Sequence, residues 1–251
     1  MSTWAALAVE CAAWKRARLP LRFWWRDDDA VRVTPALERL CQLTEDTQTT
    51  AHLAVIPSQV QSALVTLCTN EPRLVPLVHG WAHQNHAPRD EKKAEFGHPR
   101  PGLEDDAARA LTEMRLHFGG RFLPCFVPPW NRITPQLVQA LPEMGYVLLS
   151  TFTARARREP CPGLVQINTH VDPIHWRGGG GLVDPARLLA LAVETLQRQR
   201  QSGESPEPLG LLTHHLVQDD ATWSFTRDFI SALQDGGAEP LNLYAVQDAL
   251  P

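Results

Sequence analysis

Leu74-Val75-Pro76-Leu77-Val78-His79-Gly80-Trp81-Ala82-His83-Gln84-Asn85-His86 is the stretch from which the fold can be read. Its first five residues form a short apolar run, which reads as a buried strand. Three histidines follow within eight residues, so the imidazoles fall where a strand ends and a loop begins. His79 and His83 are four apart, about one helical turn, and both rings can face one point.

The same arrangement recurs on either side. Apolar residues 21–25 end at Arg26-Asp27-Asp28-Asp29, and residues 122–127 end at Pro128-Pro129-Trp130-Asn131-Arg132. Residues 164–167 lead into Thr169-His170-Val171-Asp172-Pro173-Ile174-His175-Trp176, and residues 209–213 into His214-His215. Residues 51–56 and 146–149 read as further strands. Helical patterns separate them. Residues 2–18 form one, Thr34-Pro35 and Thr134-Pro135 each supply a cap followed by a proline, and Ser58 is expected to cap another. Residues 80–101 are a long charged connection, and 203–208 are a turn cluster.

Strand and helix alternate about seven times, the pattern of parallel strands with helical crossovers. An open sheet would gather its polar residues at one switch point. Here they follow five different strands, always at the C-terminal end, which favours a barrel. The expected architecture is an α/β fold, a distorted (β/α)7 TIM-like barrel, in a single domain over residues 1–251.

Composition narrows the function. The 251 residues are 43% hydrophobic, enough for a sizeable core, and the net charge is −4. That balance offers no footprint for nucleic acid or an anionic membrane. No apolar run approaches the roughly 20 residues that span a bilayer. The N-terminus lacks the pattern of a signal peptide, so a cytoplasmic protein with reduced thiols is expected. Five cysteines, none in a C-x-x-C pair, give no zinc-thiolate signature, and Cys41, Cys68 and Cys125 read as core residues. Composition does not settle the oligomeric state.

Two histidines and a carboxylate make a common three-ligand site for a divalent ion, with one position left open. His79 and His83 supply the imidazoles, and the Asp27-Asp28-Asp29 run supplies the carboxylate. Adjacent residues of an extended strand point to opposite faces, so one aspartate can hold the metal while its neighbour takes a proton. Zinc suits these ligands, with iron, cobalt and nickel as alternatives.

In motif order, the chain resembles the polysaccharide deacetylase superfamily (NodB homology, carbohydrate esterase family 4). The family's Asp-Asp pair is similar to Asp28-Asp29, with Asp27 an extra residue. His-x-x-x-His matches His79 and His83, Pro-aromatic matches Pro129-Trp130, and Leu-x-His matches Leu212-Thr213-His214. Two positions depart. Val127 stands where the family has an arginine that orients the catalytic aspartate, and His175 replaces the second aspartate of the Asp-x-x-Asp-Trp motif at Asp172–Trp176.

The resemblance implies a metal-dependent hydrolase that removes an acetyl or similar acyl group from an amino sugar or related carbohydrate. Asp28 would be the base, His214 the acid, and Asp29, His79 and His83 the ligands. Trp81, Pro129, Trp130, Asn131 and Trp176 would contact a small-molecule or oligosaccharide substrate. Arg26, Asp172 and His175 would stand behind them, with Arg26 or Arg132 replacing the missing arginine. Two rivals remain: a non-catalytic sugar-binding or regulatory barrel that keeps the metal site, and a different amide hydrolase on the same barrel.

Overall fold

A computed structural model describes residues 3–202 and 206–249. It has eight strands, β1 (Arg22–Ala30), β2 (Ala51–Val55), β3 (Leu74–His79), β4 (Cys125–Val127), β5 (Leu148–Leu149), β6 (Val165–Gln166), β7 (Leu209–Thr213) and β8 (Glu239–Pro240). Eight helices accompany them: α1 (Thr3–Ala17), α2 (Pro35–Thr47), α3 (Ser62–Asn70), α4 (Leu103–Phe118), α5 (Pro135–Met144), α6 (Pro185–Gln201), α7 (Asp220–Asp235) and α8 (Tyr244–Gln247). Part of the expected 203–208 turn cluster, like the chain ends, lies outside the described residues.

One sheet takes in every strand. Its order is β6-β5-β4-β3-β2-β1-β7, with β8 beside β1, and every strand pairing is parallel. Val171, just beyond β6, bridges to Leu211 in β7 and so joins the two edges. That closure needs Gly210. A Cβ there would lie 2.4 Å from the Asn168 carbonyl oxygen and 2.6 Å from the Thr169 Cα, so only glycine lets the two segments meet. The outcome is the expected distorted barrel.

Strand alternation sorts the apolar residues into two clusters. Trp24, Ala54, Val75, Leu77, Cys125, Val127 and Ile167 fill the barrel interior. Phe23, Trp25, Leu53, Val78 and Phe126 face the other way and pack under the helices, against residues such as Leu40, Leu111 and Phe229. Thr34 and Thr134 cap α2 and α5 as expected, each accepting a backbone N–H three residues on. Ser58 does not cap α3. It lies in a 3-10 turn, and Gln61 precedes the helix without a side-chain bond. All five cysteines are free thiols; Cys68 and Cys125 are buried and Cys41 is partly so. No helix among the described residues is long and apolar enough to cross a membrane.

Candidate metal centre

The aspartate run does not continue as a regular strand. The pairing of β1 with β2 shifts between Asp27 and Ala30, and Asp29 adopts a left-handed backbone, φ 72°. This is a β-bulge, which re-aims side chains at a strand end. Trp24, Arg26 and Asp28 face the barrel interior in ordinary alternation, whereas Asp27 faces the helices with Phe23 and Trp25. The bulge then brings Asp29 to the mouth as well. Simple alternation would have put Asp28 and Asp29 on opposite faces; the extra residue corrects that expectation.

Asp29, His79 and His83 come together, with one donor atom of each within 4.8 Å of the others. Asp29 Oδ1 is 3.1 Å from His79 Nε2 and 3.3 Å from His83 Nε2. The His79 Nδ1 lies 3.0 Å from the Val127 carbonyl. Donation there leaves the Nε2 lone pair free toward the cluster, the second contact that metal-binding histidines ordinarily make. The three donors therefore fit a divalent ion.

The charges are strongly coupled. Burial alone would raise the Asp29 pKa, but the His79 hydrogen bond and the nearby His79, His214 and His83 hold it well below the usual carboxylate range. Burial pulls His79 down, yet Asp28 and Asp29 outweigh it and its pKa rises. His83 is lowered by burial and by His79.

Arg26 places a guanidinium against Asp28. It is fully buried, with Nε 2.8 Å from Asp28 Oδ1 and Nη2 donating to Asp28 Oδ2 at 3.0 Å. The remaining donors reach Ser150 Oγ, the Thr151 carbonyl and Asn131 Oδ1. Of the two contacts, Nη2–Oδ2 is a hydrogen bond and Nε–Oδ1 a close ion pair, and together they hold the Asp28 carboxylate against the guanidinium. Arg132, the other candidate, is half-buried and donates to the Lys93 carbonyl instead.

His214 lies at the same mouth, with its Nδ1 buried and unpartnered among the described residues and the Trp176 ring edge-on at a centroid distance of 4.7 Å. Trp176 Nε1 donates to Asp172 Oδ2 at 2.8 Å. Burial raises the Asp172 pKa, with His214 and the bonds from Ile174 and Trp176 opposing. Trp130 borders the cluster from the other side, 4.3 Å from the His83 ring.

Two expected substrate contacts, Trp81 and Pro129, and one residue expected behind the site, His175, lie elsewhere. Trp81 packs against the helix-side core with the Arg109 guanidinium 4.3 Å over its ring. Pro129 is buried beneath Gly80, where a Cβ would come within 2.4 Å of its Cδ. His175 is exposed and its ring lies against Gly178, not behind the site.

One residue of the site carried no motif. Glu95, from the long connection after β3, is 1% exposed. Its carboxylate accepts the backbone N–H groups of Trp81, Ala82 and His83 at 3.2, 2.8 and 3.2 Å. The unusual length of the 80–101 connection was the only available signal.

No protein-family model and no curated protein matches the sequence. Solved structures do. A T48 deacetylase with substrate is 14% identical with a TM-score of 0.56, the match covering 92% of this chain and 89% of that one. A family 4 acetyl xylan esterase from Clostridium thermocellum, in complex with a cobalt ion, is 12% identical with a TM-score of 0.54, over 92% and 93%. A family 4 pseudoenzyme from Bacillus anthracis is also 12% identical with a TM-score of 0.54, over 87% of this chain and 62% of that one. The fold is thus the deacetylase and family 4 esterase barrel that the motifs implied.

Proposed function

We propose that the chain is a member of the polysaccharide deacetylase superfamily and a metal-dependent hydrolase, removing an acetyl or similar acyl group from an amino sugar or related carbohydrate. The observation that carries this reading is the Arg26 clamp on Asp28 beside the Asp29–His79–His83 cluster. A barrel that had lost its chemistry would have no need to restore the orientation of a base.

A divalent ion, zinc by ligand type, would be held by Asp29, His79 and His83 and would act as a Lewis acid that makes hydroxide available near neutral pH. Asp28, oriented by Arg26, accepts a proton from the attacking water. His214, at the same mouth, hands a proton to the departing nitrogen or oxygen, so water and acyl substrate become carboxylic acid and amine or alcohol. Trp130 and Trp176 offer apolar faces to a sugar ring. An open cleft of about 740 Å3, lined by His98, Asn131, Arg132, Thr151 and Gln166 among others, meets the Arg26 clamp through Asn131 and Thr151.

The second reading, a binding barrel without turnover, is favoured by Val127 and by the pseudoenzyme among the structural neighbours. Acetate release from a panel of N- and O-acetylated sugars, with protein reconstituted with zinc or cobalt, decides between them. Release that Asp28→Asn abolishes is expected. Sugar binding without acetate release by any metal-loaded form would support the second reading.

A further inference from the structure

The end of the barrel opposite the metal centre holds two adjoining cavities of about 260 and 360 Å3, which share Arg155, Arg158 and Glu207 in their walls. They lie at the N-terminal ends of the strands, beside Arg22 at the start of β1, Val165 at the start of β6, and Pro208 just before β7. Arg157 and Arg198 complete the second cavity. Five arginines therefore converge in a chain whose net charge is −4.

Little of that charge is answered. Among the described lining residues the single carboxylate is Glu207, and it is already committed. It accepts the backbone N–H groups of Asn168 and Arg155 at 2.7 and 3.1 Å and lies 3.3 Å from His170 Nε2. Arg155 donates to the Gln166 carbonyl, and among the described residues Arg198 makes only long contacts of 3.4 Å, to the Glu194 backbone carbonyl and the Thr195 hydroxyl. The side chains of Arg22, Arg157 and Arg158 have no hydrogen-bond or ion-pair partner among the described residues. Burial lowers the Arg155 pKa; Glu207 opposes the shift and the charge of Arg158 adds to it.

Two orphaned polar groups share these walls. Trp14 is 1% exposed and lines the first cavity, yet its indole Nε1 meets no acceptor among the described residues. Gln199 lines the second, and both polar atoms of its amide are buried without partners among the described residues. Buried polar groups are nearly always hydrogen-bonded, and an unmade bond costs about 1–3 kcal/mol. An indole N–H can only donate, as can a guanidinium, so Trp14 and the arginines call for the same thing: an acceptor-rich anion.

We propose that this paired cavity binds a phosphorylated small molecule. Several guanidinium groups exceed what the one carboxylate among the described lining residues neutralises, whereas a phosphoryl dianion presents three acceptor oxygens in the geometry that guanidinium forks match. The combined volume is that of a small-molecule pocket and not of a polymer groove.

Isothermal titration of the metal-loaded protein with pyrophosphate and inorganic phosphate tests the proposal, with citrate and acetate as the carboxylate arm. Saturable one-to-one binding of pyrophosphate is expected. Arg158→Glu should weaken it by about 10–100-fold, the loss of one or more charge-assisted bonds. His79→Ala should leave it intact, since this site is remote from the metal. In 15N-labelled protein the indole signal that Trp14→Phe removes should shift on titration; if that variant does not fold, the Arg158→Glu and His79→Ala arms decide. Binding lost in His79→Ala but kept in Arg158→Glu would place the anion on the metal and overturn the proposal. So would citrate or acetate binding as tightly as pyrophosphate, or no heat at millimolar concentration.

Discussion

Strand β1 has two faces, and three consecutive aspartates divide between them. On the inner face Asp28 meets Arg26, and the bulge adds Asp29 opposite His79 and His83. On the outer face Asp27 is completely buried under the helices. It accepts the Thr213 hydroxyl at 2.6 Å and the His215 backbone N–H at 3.0 Å, and lies 2.5 Å from His215 Nδ1. Trp25 extends this outer group through its indole N–H to Thr213. Identical residue types thus serve two purposes. The inner pair aims lone pairs at a space where a ligand and substrate can enter, while the outer aspartate spends its lone pairs tying β1 to β7. Histidines divide likewise: His214 turns to the mouth, and His215 is raised in pKa, burial opposing and Asp27 prevailing.

The sharpest way to break this division is to neutralise the aspartates one at a time. Asp28→Asn should slow turnover on the order of 10²–10⁴-fold while metal stays bound. Asp29→Asn should lower metal affinity on the order of 10-fold or more. Asp27→Asn should leave metal stoichiometry unchanged and lower the denaturation midpoint. Metal analysis of the three variants decides. Loss of metal from Asp28→Asn with retention in Asp29→Asn would mean that the two roles are exchanged.

Removing the partner should be costly on the inner face. Arg26→Gln leaves Asp28 as an uncompensated buried charge, for which about 3–5 kcal/mol is typical. Urea denaturation of metal-free protein isolates that cost from any effect on the ion. A loss below about 1 kcal/mol, the range of exposed ion pairs, would show that the clamp is solvated in solution.

A third test uses the barrel interior, where His52 contrasts with His215. His52 is fully buried; its Nδ1 lies 2.9 Å from the Trp25 carbonyl and its Nε2 accepts the Leu243 N–H. Burial pushes its pKa down to about 4. Its unfolded value is near 6.5, so as pH falls from 6.5 toward 4 the unfolded chain takes up a proton that the folded chain refuses. Stability is complete above 6.5 and declines across that window, by at most about 3 kcal/mol. His215 has the opposite sign. Its folded value is raised, so its contribution is present below 6.5 and fades as pH rises through the folded pKa. Subtracting the pH–stability curve of His52→Gln from that of the wild type should expose the first slope, and a flat difference would refute it.

These two faces also show how far a sequence can be read. The strand ends, the histidine pair and the Thr34 and Thr134 caps all rest on local pattern, and the barrel followed from where polar residues end apolar runs. Three features did not, because each depends on an event that no period encodes. The bulge at Asp29 overrides alternation, so two adjacent aspartates reach one mouth. Arg26 lies two residues before Asp28 on the same inner face, but its contacts to Ser150 and Asn131 are made across the barrel. Trp81 closely follows the strand that ends at His79 and yet packs outward beneath Arg109, because the left-handed turn at Gly80 redirects the chain.

Glu95 yields the smallest expected effect and the most specific one. It offers no donor to the ion and reaches the site only through the backbone of the loop that carries His83. Its two oxygens gather three consecutive N–H groups of the loop between His79 and His83, which bends through positive φ at Gly80 and again at His83, φ 56° and 55°. A residue in that region carries a backbone cost, and the buried carboxylate offsets it by satisfying donors that otherwise lack partners. Glu95→Gln keeps the size but turns an N–H donor toward at least one backbone N–H. His79, fixed by Val127, should keep its place while His83 loosens, so metal affinity should fall about 10-fold, as when outer-shell partners of metal ligands are altered. Competition with a chromophoric chelator measures this, and the melting temperature of the metal-free protein serves as the control. If the metal-free form loses stability while affinity for the ion is unchanged, Glu95 supports the loop alone and has no part in presenting His83.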